Sequence, residues 1–278
     1  VTGMYSVPGR HDIDPTAILA PFYFLFFGLM LSDAAYGLIL TTLCAIILKK
    51  YKPEGTTHRM IKMFMFCGLS TFMWGALFGG WFGNFFTVAA KTFFGKEFVI
   101  KPLWFDPLSE PMKLLVVSLI LGAIHLFVGM GVQAYMDIKD GRPLDALFDI
   151  GLWYLLLVGI VLFAFGGKLG AGAVGIGKIM AIIGAVGILL TGGRKKKGIF
   201  GKLTGGLGSL YGITSYLSDV LSYSRLLALG LATGVVAQVF NTLGSLAGGG
   251  IAGSVLLIVV FAFGTVFNIA INALGAFV

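Results

Sequence analysis

Four ionisable residues stand inside long apolar stretches of this chain: Asp33, His125, Asp219 and Arg225. A charge at bilayer depth costs about 2.5 to 3.5 kcal/mol even on lenient scales, so each needs a physical reason to be there. Asp33 also reads as a polar group at a helix break or cap, and Asp219 as an interfacial carboxylate near a helix end. His125 shares a helical face with Ser118, Gly122 and Gly129, which suits a satisfied packing histidine. Arg225 differs, because no carboxylate stands three or four positions away to form a helical ion pair. Asp219 is six positions back, a turn of about 240°. The residues after Arg225 are almost all apolar or small, which keeps a snorkelling guanidinium from the interface on that side. Arginine stays charged across physiological pH, so the chemistry open to it is holding an anion inside the membrane.

The helix carrying it has a readable layout. At about 100° per residue, Ser218, Leu221, Ala228, Leu229, Ala232 and Val236 fall within about 40° of Arg225, a smooth and mostly dry face. Beside that face, at about 60° to 160°, run Ser215, Asp219, Ser222 and Tyr223 on one half and Thr233 and Asn241 on the other. The last apolar segment has its own polar line through Ser254, Thr265, Asn268, Asn272 and Gly275. Hydrogen bonding between helices explains such stripes as readily as an ion path does.

The elements that position these residues are membrane spans. Of 278 residues 58% are hydrophobic and 12% charged, and the mean hydropathy is +0.96, too little polar surface for a water-soluble globule. Apolar stretches run roughly 16 to 48, 63 to 90, 112 to 135, 148 to 166, 178 to 191, 207 to 243 and 251 to 278. The first is interrupted at Ser32 to Gly37, and two readings stay open for it: one long tilted helix, or a tight pair of short ones. The connections at 49–62 and 194–202 hold most of the clustered Lys and Arg, and the positive-inside rule makes both cytoplasmic. Four spans separate them, so they fall on one side as required. The loops around 91–111 and 167–177 then face outward, as does the Gly-rich turn 244–250, and the loop 137–145 faces inward.

Other chemistries fail on spacing. Gly172 to Lys178 has the glycine spacing of a phosphate loop, but Ile179 stands where a metal-binding Ser or Thr is needed, and Leu203 repeats the failure after Lys202. The net charge of +8 lies in short connections and forms no basic patch with interleaved aromatics, so no nucleic-acid partner is expected. Cys44 and Cys67 both sit in apolar segments and read as buried thiols. No cofactor and no metal is expected.

The run Ser222 to Ala232, SYSRLLALGLA, resembles the signature helix of the membrane domain of the a (or I) subunit of V-type and A-type rotary ATPases. IDPTAILAPFYFLFFGLMLSDAAYGLIL (Ile13 to Leu40), GALFGGWFGN (Gly75 to Asn84) and the His125 helix with its glycines match in the same order along the whole chain. The resemblance implies an all-α polytopic bundle of about eight helices, with two long C-terminal helices facing a rotor ring of c (K) subunits. It implies a single transmembrane domain over 1–278, preceded in the longer subunit by a cytoplasmic N-terminal domain that contacts the peripheral stalk. It also implies that Arg225 faces the ring's ion-carrying carboxylate. A second arginine near the end of the last helix is expected beyond Val278. The outer half-channel carboxylates of some members are not evident in the last two helices, where Asn268 and Asn272 occupy the polar face. On this reading the protein is a non-catalytic stator subunit in a prokaryotic plasma membrane. H⁺ or Na⁺ passes through half-channels drawn from Asp33, His125, Ser215, Asp219, Ser222, Tyr223, Thr233, Asn241, Asn268 and Asn272. The alternative is a secondary transporter with a midplane substrate site.

Overall fold

The computed structural model describes residues 13–96, 98–168, 171–194, 199–246, 248 and 250–278. Readings that fall on residues 1–12 and on Lys195 to Lys197 of the basic connection lie outside them. Among the described residues the secondary structure is helical throughout: α1 (Thr16–Leu31), α2 (Ala34–Tyr51), α3 (Gly55–Phe78), α4 (Phe85–Phe94), α5 (Pro111–Lys139), α6 (Pro143–Phe165), α7 (Ala171–Thr191), α8 (Ile199–Tyr211), α9 (Ile213–Ser222), α10 (Ser224–Ser245) and α11 (Ile251–Phe277). Seven stretches are long and apolar enough to cross a membrane: α2, α3, α5, α6, α7, α11 and Thr204–Ser245, which joins α8 to α10; α1 is a shorter apolar helix. α4 is a second short apolar helix, and the described residues thus form the helical bundle of an integral membrane protein.

Two compact units form: Asp14–Ser118 with Tyr223–Val278, and Leu119–Ser222. In the first, the stretch 16–48 is a hairpin and not one tilted helix. Ser32 turns left-handed at φ 34° and closes α1 by donating its N–H to Gly28 O. Asp33 then caps α2. The two arms run in opposite directions along α3, because α3 meets them through glycines that permit near-backbone contact. A Cβ on Gly28 would lie 2.7 Å from Trp74 Cδ1, one on Gly37 2.8 Å from Phe72 Cα, and one on Gly75 2.7 Å from Ala34 Cα. Helices in lipid gain little from expelling water, so such close approach carries their packing.

The apolar stretch 63–90 is not one span. α3 stops at Gly79, which takes φ 75°, and a turn through Phe82 (φ 54°) and Gly83 (φ 62°) leads into the short α4. Hydropathy cannot register this stop, since Phe, Trp and Gly fill both sides of it. α10 and α11 pack antiparallel, with Gly244 against Leu257, Gly264 against Phe240 and Gly275 facing Leu229.

In the second unit, α6 and α7 pack through Gly159, Gly177 and Gly184. α7 begins at Ala171, so most of the expected outward loop 167–177 is helical; the Gly172–Lys178 run turns its Gly177 onto the backbone of Leu162 and Phe163. A π turn at Leu147–Gly151 puts Asp145 and Asp149 within reach of Arg194, whose Nη2 lies 2.5 Å and 2.8 Å from them. A Cβ on Gly177 would stand 2.8 Å from Leu162 C. Gly177→Val is therefore expected to force α6 and α7 apart and to lower stability by about 1 to 3 kcal/mol, read as a lower midpoint of unfolding in detergent.

The stretch 207–243 is also interrupted. Gly212 separates α8 from α9, and Tyr223, at φ −70° and ψ −6°, separates α9 from α10. The second break falls two residues before Arg225, so a single helical wheel does not carry the polar stripe from Ser215 through to Asn241.

Candidate functional site

α10 presents two unlike faces. Leu226, Gly230, Thr233, Ala237, Asn241 and Gly244 are buried, at about 80° to 160° from Arg225 on the helical wheel. Arg225, Ala228, Val235, Val239 and Leu243 are exposed, while Leu229, Ala232 and Val236 are half-buried. The polar half-stripe thus points into the first unit, and Arg225 shares its side with a smooth apolar surface.

The buried face is held by hydrogen bonds from a long way off in sequence. Thr233 Oγ1 donates to Met30 O at 3.2 Å, and Ser32 Oγ to Gly230 O at 3.4 Å. Asn241 Nδ2 donates to Phe82 O at 2.9 Å and to Asn84 Oδ1 at 3.1 Å. Asn268 Nδ2 donates to Tyr36 OH at 3.0 Å and Thr233 O at 2.9 Å, and Asn272 Nδ2 donates to both oxygens of Asn268. Thr233, Asn241, Asn268 and Asn272 are all buried. Each finds the partner that burial in an apolar medium demands, which ties α10 and α11 to the α1–α2 hairpin.

Asp33 is the keystone of this arrangement and is 3% exposed. Its Oδ1 accepts the N–H groups of Ala35 (3.0 Å), Tyr36 (3.2 Å) and Phe82 (3.1 Å), and its Oδ2 that of Gly83 (2.8 Å). Four backbone donors at the N-terminus of α2 satisfy its oxygens and make the burial of this carboxyl group tolerable. The same residue lines a cavity of about 210 Å³ with Ser32, Asn84, Thr87, Asp106 and Gln238. Gly230 and Gly234 of α10 form its inner wall. Gly230 is five residues from Arg225, about 7.5 Å along the helix axis. Asn84, Asp106 and Gln238 were not singled out by sequence pattern; Asn84 closes the GALFGGWFGN match, whereas nothing local marks the other two as cavity residues.

The other sequence-predicted residues lie apart from this cluster. Tyr223 packs its ring 5.5 Å from Phe26 in the first unit. In the second unit His125 and Ser222 are half-buried, and Ser215 and Asp219 are exposed on α9. Among the described residues no group of three or more His, Cys, Asp or Glu side chains is placed to hold a metal ion.

Apolar helices joined through glycines, with Thr233, Asn241, Asn268 and Asn272 hydrogen-bonded among them, define an integral, polytopic all-α membrane protein. No family model matches the chain. The A-type ATP synthase subunit I of Methanocaldococcus jannaschii is 34% identical over 309 residues, which takes in 100% of this chain and 43% of that protein. That of Thermococcus kodakarensis is 35% identical over 286 residues, 100% of this chain and 41% of the relative. The V-type ATP synthase subunit I of Borreliella burgdorferi is 25% identical over 292 residues, 98% of this chain and 46% of the relative. The chain belongs to the subunit I family of A-type and V-type ATP synthases, and spans less than half the length of these relatives.

Proposed function

We propose that this chain is the membrane part of the stator of a rotary ATPase, coupling H⁺ or Na⁺ flow to rotation of a ring of c (K) subunits while other subunits carry the nucleotide chemistry. The observation that carries the reading is the pairing of Arg225 with an exposed apolar face on α10 in a chain of the subunit I family. A rotor carboxylate must be neutral while it faces lipid and can ionise where a fixed cation meets it. Arg225 is that cation. It also repels a hopping H⁺ or Na⁺, so the two access paths do not short-circuit. The smooth residues Ala228, Ala232, Val235 and Val239 let the ring slide past.

The cavity beside Gly230 and Gln238 is the outer access path, with Asp33 and Asp106 making it attractive to cations. The inner path runs along Ser215, Asp219 and Ser222. The connections at 49–62 and 194–202 face the cytoplasm, in a prokaryotic plasma membrane. Family membership favours this reading over a secondary transporter, since the relatives are named as ATP synthase subunits.

Crosslinking in the assembled complex tests the docking geometry. Cysteine at Ala228 or Ala232 is expected to form a disulfide with a cysteine placed one turn from the rotor carboxylate, and cysteine at Thr233, which is 1% exposed, is not. Crosslinking at Thr233 alone would place the ring on the wrong side of α10.

A further inference from the structure

A groove of about 430 Å³ lies between α1 and α3, at the end of the first unit that carries the basic connection 49–62. Its α1 wall is the stripe Thr16, Leu19, Ala20, Tyr23 and Phe24, spaced by three and four residues as one helical face requires. Its α3 wall is Met63, Phe66 and Cys67. Apart from Thr16 and the Tyr23 hydroxyl, which donates to Phe277 O at 3.3 Å, this lining offers hydrocarbon, the Met63 thioether and the Cys67 thiol. Phe27 and Phe64, ring centroids 6.0 Å apart, join the same two helices.

The charge at its mouth gives the groove an occupant. Arg59 and Lys62 each stand four residues before a groove residue, Met63 and Phe66, and so lie one turn below the groove on the same face of α3. Both are exposed. Between 49 and 62 the chain has five basic residues (Lys49, Lys50, Lys52, Arg59, Lys62) and one acid, Glu54. On the α1 side Asp14 accepts the N–H of Thr16 at 2.9 Å, which engages that carboxylate with the helix start. An apolar trough ending in two cations one turn apart matches a molecule with a hydrocarbon chain and an anionic head.

We propose that the α1–α3 groove binds an anionic phospholipid, one acyl chain lying between Leu19, Tyr23, Met63 and Phe66 and the headgroup phosphate held by Arg59 and Lys62. The bound chain fills the space between hairpin and α3, and the phosphate sits at the depth where basic side chains meet anionic headgroups. The site requires only that the chain spans a membrane, so it stands or falls separately from the stator role.

The test uses the assembled complex in nanodiscs doped with phosphatidylglycerol or phosphatidylcholine, each carrying a diazirine in one acyl chain, with labelled peptides read by mass spectrometry. Phosphatidylglycerol is expected to label the Met63–Cys67 segment at least about threefold more than phosphatidylcholine at equal mole fraction. Arg59→Gln with Lys62→Gln is expected to bring the two lipids level, whereas Lys49→Gln with Lys50→Gln keeps the preference. Leu19→Trp, which fills the trough, is expected to suppress labelling of this segment by both lipids. Equal labelling by the two lipids in the unaltered protein, a preference that survives loss of Arg59 and Lys62, or undiminished labelling in Leu19→Trp overturns the proposal.

Discussion

Arg225→Ala in the assembled complex is expected to reduce ATP-driven ion uptake into vesicles to background. Removing one partner of a charge pair in a membrane interior leaves the other charge uncompensated, at about 3 to 5 kcal/mol. With a tenfold change for every 1.36 kcal/mol, that corresponds to roughly two to four powers of ten in the population able to complete a step. On the proposed mechanism the ionised state of the passing rotor carboxylate becomes too costly to form, and ion exchange at the stator is expected to stop. Arg225→Lys keeps a charge but loses the planar fork of donors, so partial uptake at best is expected. Arg225 is exposed on α10, so the unfolding midpoint in detergent should move by only a few degrees. Unimpaired coupled uptake in the alanine variant would remove Arg225 from the mechanism and the proposed stator role with it.

Asp33→Ala should give the largest stability loss of any single polar substitution in the first unit. It orphans four backbone donors, those of Ala35, Tyr36, Phe82 and Gly83, at a site that is 3% exposed. A buried donor left without an acceptor costs about 1 to 3 kcal/mol. The four losses share one local rearrangement, so a total of about 3 to 5 kcal/mol is expected, read from thermal or denaturant unfolding of the purified subunit in detergent. Asp33→Asn separates geometry from charge. Its oxygen can keep the three bonds made by Oδ1, but its amide then faces the N–H of Gly83, donor against donor, and about half of the alanine effect is expected. The turn at Phe82 also accepts from Asn241, so loosening it should disturb α10 from a distance. An asparagine variant that unfolds at the wild-type midpoint yet carries no ions would make the access path, and not the cap, the main role of Asp33.

Much of the site was legible because helical periodicity is a local property. From Ser224 onward the wheel through Arg225 separates an exposed apolar side from a buried one that holds Thr233 and Asn241, but it does not carry back through the break at Tyr223 to Ser215 and Asp219. The partners of that polar side were not legible. Asn241 bonds to Phe82 and Asn84, 159 and 157 residues away, and Asn268 to Tyr36, 232 residues away. No spacing rule reaches so far. Gln238 and Asp106 stayed hidden for the same reason, since they become cavity residues only when α10 and the 99–108 loop meet over the hairpin.

The breaks divide in a similar way. Polar Ser32 and Asp33 announced an interruption in 16–48, but whether the chain tilts or doubles back depends on Gly28, Gly37 and Gly75 resting against α3. The end of α3 at Gly79 gave no hydropathy signal, because residues on either side of it are equally apolar. What stops the helix there is a left-handed glycine and a turn gripped by a carboxylate some fifty positions earlier, at Asp33.

By itself, then, the amino-acid order determined the solvent, the helical class, the family and the two faces of the Arg225 helix, all of which follow from composition and from neighbours within a few turns. Tertiary structure alone decided the α1–α2 hairpin, the four-donor grip on Asp33, the pairing of the buried asparagines, and the cavity and groove. In lipid a helix gains almost nothing from burying one more apolar face. Which faces meet is settled by where backbones can approach at glycine and where a polar group finds a partner, and both are properties of pairs distant in the chain.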